Sequence, residues 1–171
     1  YYRALEIVPD YAEAHSNRGN LLQTLNRLPE ALASYDRALQ ISPDYADALC
    51  NRGAVLEALG RLPEALADYD RGLQIAPDHA ETHNNRGSVL VDLGRPLEGR
   101  DAYRRALALK PDYQDAHVNL GLCLLLLGDL RAGWEEFEWR WQASLGASRP
   151  NIEGPQWRGT ESLQGKTILL W

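Results

Sequence analysis

Small, aromatic and polar positions recur along this chain with a period of 34 residues. The dipeptide Pro-Asp marks the period at Pro9, Pro43, Pro77 and Pro111. Such a period predicts stacked helix–turn–helix units, because a single unit cannot bury its apolar face alone. Between these marks, a glycine and an aromatic residue hold fixed places where two helices would approach closely. They are Gly19, Gly53, Gly87 and Gly121 at the eighth position, and Tyr35, Tyr69, Tyr103 and Phe137 at the 24th.

Turn-forming residues between the periodic segments set the predicted helix ends. The first helix of each unit should end at a residue that tolerates the left-handed conformation, namely Asn26, Gly60, Gly94 and Gly128. Pro29 and Pro63 follow where a first-turn proline is favoured. The resulting predicted helices are 12–25, 29–41, 46–59, 63–75, 80–93, 97–109, 114–127 and 130–142.

Alignment on the prolines divides the chain into repeats and a tail. We predict an all-α, right-handed superhelical solenoid of antiparallel helix pairs, with a short non-helical tail ending in a truncated strand. Gly, Pro, Ser and Asn after residue 142 are typical of a linker. Both ends fall inside periodic or apolar segments, so we expect a fragment of a longer protein. The predicted parts are a partial repeat 1–11, whole repeats 12–45, 46–79 and 80–113, a degenerate fourth repeat with a capping helix 114–142, and a linker with the start of a following domain 143–171.

This period and residue order resemble the tetratricopeptide repeat family over residues 1 to about 141. The departures are His15, Leu49, His83 and His117 where the family often has tryptophan, and Arg18, Arg52 and Arg86 where it usually has leucine. A buried guanidinium needs a partner. The candidates in the adjacent helices are Asp36, Asp70, Glu30 and Glu64. Alternatively, the arginine stems pack while their charged ends reach solvent.

The resemblance implies that positions 2, 5, 6, 9, 12 and 13 of each repeat face a concave groove. Position 6 is asparagine in every unit, as Asn17, Asn51, Asn85 and Asn119. An amide offers a donor and an acceptor, so such a column can pair with the backbone of an extended peptide. The alternative is that these amides bond neighbouring helices and only shape the superhelix. The predicted peptide-binding residues are these four with Asn20, Gln23, Asn84 and Ser88.

The asparagine column is similar to the one in the repeats of O-linked N-acetylglucosamine transferase, which implies protein partners lying lengthwise in the groove. Position 2 is always acidic, as Glu13, Asp47, Glu81 and Asp115. These acids would favour basic ligands, but acids early in a helix also suit its dipole, and we favour that explanation. The family's carboxylate clamp for chaperone tails needs Lys and Arg in the groove, so the sequence disfavours that function.

The first helix of the fourth repeat is apolar nearly all round, so it must be covered on more than one side. Val118, Leu122, Leu125 and Leu126 would form an exposed patch of the kind that marks an interface. The candidate occupants are the tail, a second copy of the chain, or a domain beyond residue 171.

Four aromatic residues follow within the segment GWEEFEWRW, residues 133–141. We interpret Trp134, Phe137, Trp139 and Trp141 as a cap on the solenoid, in preference to a sugar- or nucleobase-binding cluster. With PQWRG and GKTILLW further on, the segment resembles the junction in bacterial proteins where such repeats lead into a glycosyltransferase-like domain. Any catalytic residues implied by that resemblance would lie beyond residue 171.

Composition excludes several other classes of function. The net charge of −6 without a Lys/Arg cluster argues against nucleic acid. The longest apolar run, Leu120–Leu127, is too short to span a membrane. Cys50 and Cys123 lie 73 positions apart, which indicates no disulfide framework and fits a reducing, cytoplasmic location.

No motif indicates catalysis, a metal or a cofactor. His79 and His83 are spaced like metal ligands, but both occupy repeat positions that packing explains. Gly165-Lys166-Thr167 lacks the earlier glycine of a phosphate-binding loop, since Thr160 stands there. We therefore predict a non-enzymatic scaffold that binds a protein or peptide. The alternatives are the substrate-recruiting arm of a glycosyltransferase-like enzyme and a self-association module acting through the fourth repeat.

Overall fold

The computed structural model describes residues 11–143, which form nine helices in four antiparallel pairs and a short final turn. The predicted all-α solenoid is confirmed for these residues. Apart from Tyr11 and Ala143, the residues predicted to form the partial first repeat, the linker and the truncated strand lie outside the described residues. The helices are α1 Ala12–Thr24, α2 Leu28–Ile41, α3 Ala46–Ala58, α4 Leu62–Ile75, α5 Ala80–Asp92, α6 Pro96–Leu109, α7 Gln114–Leu126, α8 Leu130–Phe137 and α9 Arg140–Ala143.

The first helix of each pair ends in a left-handed residue, as predicted. The φ angles are 56° at Asn26, 73° at Gly60, 75° at Gly94 and 85° at Gly128. In the first repeat, the N–H of Arg27 donates to Leu22 O (2.8 Å) and that of Asn26 to Gln23 O (2.9 Å). This pair of bonds is the Schellman motif, which satisfies carbonyls that the helix end would otherwise leave unpaired.

The eighth predicted helix, 130–142, is wrong in one respect, because the structure divides it into α8 and α9. At the break, Trp139 N–H donates to Glu136 O (3.2 Å), which is an i→i+3 bond. The Trp139 carbonyl accepts from Gln114 Nε2 (2.7 Å), and its indole stacks on His117 with the ring centroids 3.8 Å apart. These contacts hold the backbone of Trp139 against α7, so the helix is interrupted there and does not continue from α8 into α9.

Each of the first three pairs is closed by a tyrosine ring lying on a glycine. Tyr35 and Tyr69 are fully buried. A Cβ atom placed on Gly53 would lie 2.7 Å from Cε1 of Tyr69, and Gly19 and Gly87 meet their tyrosines at 2.6 Å. A side chain at these glycines would overlap the ring, so the residue type at the eighth position fixes the distance between the two helices.

The fourth pair replaces the ring contact with a closer approach of two backbones. A Cβ atom on Gly121 would lie 2.7 Å from the backbone nitrogen of Phe137 and 2.9 Å from the carbonyl oxygen of Gly133. Glycine at both positions lets α8 lie directly on α7. The fourth repeat therefore keeps the antiparallel pair but not the aromatic spacer of the other three.

An arginine at the seventh position joins neighbouring repeats. The Arg52 guanidinium donates to both carboxylate oxygens of Asp68 in its own repeat, each at 2.7 Å, and to Asp36 of the preceding repeat at 2.7 Å. Asp68 is buried, so this pairing compensates a carboxylate removed from water.

Each of the other two arginines makes a contact equivalent to one of those of Arg52, Arg86 with the preceding repeat and Arg18 with its own. Arg86 Nε donates to Asp70 of the preceding repeat at 2.5 Å, and Arg18 Nε donates to the hydroxyl of Ser34 at 3.0 Å. The candidate partners Asp36 and Asp70 are thus confirmed, whereas Asp68 was missed. The other two candidates form exposed pairs at the starts of their own helices, Arg27–Glu30 and Arg61–Glu64.

We predict that Gly53→Ala lowers the free energy of unfolding by about 1–3 kcal/mol, because the added methyl group overlaps the buried Tyr69 ring. The higher helix propensity of alanine opposes this loss by roughly 1 kcal/mol. Urea unfolding followed by circular dichroism measures the difference.

The control for this substitution is the same change in a Tyr69→Leu background, where the smaller side chain leaves room for the methyl group. In that background Gly53→Ala is expected to be neutral or stabilising. An equal loss in both backgrounds would contradict the assignment to the ring contact.

Candidate peptide groove

The first helices of the repeats, α1, α3, α5 and α7, contact one another along the stack and form its inner layer. We call the surface of these helices that carries Asn17, Asn51, Asn85 and Asn119 the groove. All four asparagines are half-buried. None of the helices formed by residues 11–143 has the length and apolar character needed to cross a membrane.

Three of the four asparagines hydrogen-bond to the preceding repeat. Asn51 Nδ2 donates to Asn20 Oδ1 at 3.1 Å, and Asn119 Nδ2 donates to Asn84 Oδ1 at 3.0 Å. Asn85 hydrogen-bonds to the hydroxyl of Tyr69 in the preceding repeat. The column therefore orients neighbouring repeats, which is the structural use that the sequence left open. Each side chain also keeps part of its surface in the groove.

Asn84 lies deeper than the sequence predicted, with an exposed fraction of 5%. Its amide donates to Asn85 Oδ1 at 3.2 Å while its own oxygen accepts from Asn119. Ser88 is half-buried, and its hydroxyl bonds to the Asn84 carbonyl oxygen at 3.4 Å. Asn84 therefore supports the two neighbouring amides from below and presents little of its own surface to a ligand.

Tyrosine hydroxyls reach the groove from the second helices, a feature that the sequence reasoning missed. The Tyr35 hydroxyl lies 2.6 Å from Asn20 Oδ1 and 3.1 Å from Gln23 Oε1. Tyr103 donates to the Ser88 hydroxyl at 3.2 Å. Burial raises the pKa of Tyr35 and that of Tyr103 to about 12, so both hydroxyls stay protonated at neutral pH. The available signal was the tyrosine at position 24 combined with a polar residue at position 9 or 12.

The corresponding acceptor in the second repeat is a carboxylate. Tyr69 donates to Glu57 Oε2 at 2.9 Å. Burial raises the pKa of Glu57, the Tyr69 hydrogen bond opposes that shift, and the charge of Asp92 adds to it. Because the folded-state pKa is raised, the ionised form of this side chain destabilises the fold.

Two adjoining cavities lie where the groove crosses from the third to the fourth repeat, and both are lined by Ser88 and Asn119. The polar cavity has a volume of about 470 Å³. The leucine cavity has a volume of about 280 Å³. The polar cavity is also lined by Asn84, Asn85, Asp115 and Arg140, and the leucine cavity by Val91, Asp92, Leu122 and Leu126.

The structure divides the predicted apolar patch of the fourth repeat. Leu122 and Leu126 are 49% and 65% exposed and line the leucine cavity. Val118 is half-buried and lines the polar cavity. Leu125 is half-buried, and a Cβ atom on Gly133 would lie 2.8 Å from its side chain, so it packs against α8. The exposed apolar surface is therefore narrower than the sequence predicted.

The histidines have structural partners within the repeats. His79 caps α5, because its Nδ1 accepts from the Thr82 N–H at 3.2 Å. His83 Nε2 lies 2.8 Å from the Pro77 carbonyl oxygen, and burial lowers the pKa of His83. His117 Nδ1 lies 2.5 Å from Glu136 Oε2 in α8. His79 and His83, which are spaced like metal ligands, therefore each have a hydrogen-bonding partner within the chain.

Comparison with known families bears on these repeats directly. Residues 24–60 match a model described as the TPR repeat, and residues 44–112 match a model described as the tetratricopeptide repeat. The chain belongs to the tetratricopeptide repeat family. These matches confirm the family resemblance of this tetratricopeptide repeat protein, which its 34-residue period and its small residues had indicated. A search of curated proteins finds no match.

Solved structures place the tetratricopeptide repeats of this chain among known examples. YrrB, described as a TPR protein with an unusual peptide-binding site, is 28% identical, covers 81% of this chain and 71% of its own, and has a TM-score of 0.72. Pseudomonas aeruginosa pilF is 22% identical, covers 84% of this chain and 65% of its own, and has a TM-score of 0.77. The first TPR of Spaghetti (RPAP3), bound to an HSP90 peptide, is 20% identical, covers 68% of this chain and 93% of its own, and has a TM-score of 0.67.

We predict that Glu57→Gln stabilises the protein near pH 7 and has little effect near pH 4. Below the ordinary carboxyl pKa of about 4.3, Glu57 is protonated in both the folded and unfolded chain. Stability is lost as the pH rises through the raised folded-state pKa, and glutamine removes that loss while still accepting from Tyr69. Urea unfolding at the two pH values measures the effect.

The matched control is Asp112→Asn, which removes an exposed carboxylate away from the groove. It is expected to change the unfolding free energy by less than about 0.5 kcal/mol. Destabilisation by Glu57→Gln near pH 7 that is larger than its effect near pH 4 would show that the carboxylate form is required, contrary to this assignment.

Proposed function

We propose that this tetratricopeptide repeat protein is a non-enzymatic interaction scaffold that holds an extended peptide or protein segment in the groove. The observation that carries the proposal is the asparagine column. Three of its members are oriented by a bond to the preceding repeat, and all four retain exposed surface. An oriented amide meets a ligand with less loss of side-chain entropy than a free one.

The oriented amides keep hydrogen-bonding capacity for a ligand. Each carboxamide has two N–H donors and an oxygen that accepts two bonds. Asn51 and Asn119 each use one N–H within the chain, and their oxygens accept no bond from the residues that the structure describes. A peptide backbone in the groove would therefore find both a donor and an acceptor at these positions.

The spacing of the column suits an extended chain. Packed helices lie roughly 8–10 Å apart, and an extended chain advances about 3.3–3.6 Å per residue. Each asparagine would therefore meet about every third residue of the ligand. Because these contacts go to the backbone, they tolerate many ligand sequences.

The amides alone give weak binding. At about 0.5–1.5 kcal/mol for each net hydrogen bond, four asparagines contribute on the order of 4 kcal/mol, which corresponds to a millimolar Kd. Stronger binding needs side-chain pockets on the protein or a second attachment point. The two cavities at the third and fourth repeats supply candidate pockets.

The described relatives are consistent with this function. YrrB is described as having a peptide-binding site, and its similarity covers 81% of the present chain. The Spaghetti domain holds an HSP90 peptide, but at 20% identity its similarity concerns the fold alone. The other two functions considered from the sequence rest on different parts of the chain. A transferase arm depends on the segment after residue 143, and self-association depends on the exposed leucines.

We predict that Asn51→Ala combined with Asn85→Ala weakens binding to an extended peptide by about ten- to a hundredfold, because two amide contacts are lost. The probe is an array of immobilised synthetic peptides of varied sequence and equal length, incubated with labelled full-length protein. The loss is expected across the array, since the contacts go to the peptide backbone.

The matched control is Gln40→Ala combined with Gln74→Ala, which removes two exposed amides on the outer helices. It should leave binding unchanged. Because Asn51 and Asn85 also bond neighbouring repeats, thermal unfolding must show that the double variant is folded at the assay temperature. A second variant, Ala58→Trp, places a bulky ring in the groove without removing an amide. Unchanged binding by the folded variants of both kinds would refute the proposal.

A further inference from the structure

The groove changes from polar to apolar between the third and fourth repeats. In the first three repeats, tyrosine hydroxyls from position 24 reach groove residues, whereas the fourth repeat has Phe137 there. The loss of the hydroxyl coincides with leucines at the two neighbouring groove positions. From the first repeat to the fourth, the residues at positions 9 and 13 are Asn20 and Thr24, then Ala54 and Ala58, then Ser88 and Asp92, and finally Leu122 and Leu126.

These leucines border a cavity of a size suited to one large side chain. The leucine cavity has a volume of about 280 Å³, with Val91 on the α5 side and Leu122 and Leu126 on the α7 side. The exposed fractions of the two leucines, 49% and 65%, leave apolar surface in contact with water. An apolar side chain from a ligand would cover that surface and tighten binding by roughly ten- to a hundredfold.

The rim of the leucine cavity is negatively charged. Asp92 is exposed and lines the cavity, and Glu57 of the preceding repeat lies close enough for the two carboxylates to interact. Asp115 lines the adjoining polar cavity. Arg140 is the only cation among the described residues that line either cavity. It donates to the Phe137 carbonyl oxygen at 3.0 Å and lies 3.5 Å from Glu138.

We propose that the third and fourth repeats select a peptide segment with one apolar anchor side chain and a nearby Lys or Arg. The anchor enters the leucine cavity between Val91 and the two leucines, and the basic group lies at Asp92. This selectivity rests on the proposed function, since the groove asparagines hold the backbone of the same segment. It adds the side-chain recognition that the amide contacts lack.

The geometry also sets the spacing within the ligand. Asp92 and Leu126 occupy equivalent positions on α5 and α7, which are adjacent along the inner layer. Helices at that separation correspond to about two or three residues of extended chain. The basic residue therefore follows or precedes the anchor by about two or three positions, on the side of the third repeat.

The test uses fluorescein-labelled synthetic peptides of Gly and Ser that carry one Leu and one Lys three positions apart. One matched probe replaces the Leu with Ser, and another replaces the Lys with Glu. Fluorescence anisotropy is followed while full-length protein is titrated to about millimolar concentration. The Leu–Lys probe is expected to bind at least tenfold more tightly than either matched probe.

Two variants assign the selectivity to the cavity. Leu126→Gln is expected to weaken the Leu–Lys probe about tenfold and to leave the Ser-substituted probe unchanged. Asp92→Asn is expected to weaken the Leu–Lys probe about two- to fivefold, with an effect that shrinks as salt increases. The matched controls are Leu97→Gln, at a leucine 57% exposed on α6, and Asp112→Asn, and both should leave binding unchanged.

The outcomes separate this selectivity from the proposed function. If the protein binds all probes alike, the selectivity is wrong while groove binding stands, and if it binds none at millimolar concentration, both are wrong. A second copy would be the occupant if sedimentation shows an associated protein that Leu126→Gln dissociates. The chain's own tail would be the occupant if the Leu–Lys probe binds only after Leu169→Asp and Leu170→Asp. Either result would overturn recognition of a separate peptide.

Discussion

The architecture depends on the contact between a tyrosine ring and a glycine backbone within each of the first three repeats. The ring fills the space that a Cβ atom on Gly19, Gly53 or Gly87 would occupy, so it sets the separation of the paired helices. The same ring is long enough for its hydroxyl to emerge on the inner face. One residue pair therefore fixes the packing of the repeat and supplies part of the polar groove floor.

Much of the fold could be predicted from the sequence, because the same residue types recur at the same positions of successive repeats. The 34-residue period located the helices to within one residue at most ends, and the left-handed positions at Asn26 and the three glycines were identified correctly. The break before α9 could not be predicted, since it depends on the contacts of Trp139 with α7. Local propensity alone favoured one continuous helix there.

The groove was harder to predict than the fold, because position within a repeat does not fix the partner of a side chain. Asn84 and Asn20 occupy groove positions, yet the neighbouring repeat places an asparagine against each of them. Leu125 and Leu126 are adjacent in sequence but differ in exposure, since only Leu125 lies against Gly133. Such differences arise from tertiary contacts of one repeat with the next.

The ion pairs of Arg52 and Arg86 have a consequence for the mechanics of the array. A repeat array is stabilised by each unit and by the interfaces between neighbours. Because Arg52 reaches Asp36 and Arg86 reaches Asp70, the interface between the first and second repeats and that between the second and third each carry an ion pair. These pairs oppose the separation of the repeats that they join, and so limit how far the curvature of the inner face fluctuates between the first and third repeats.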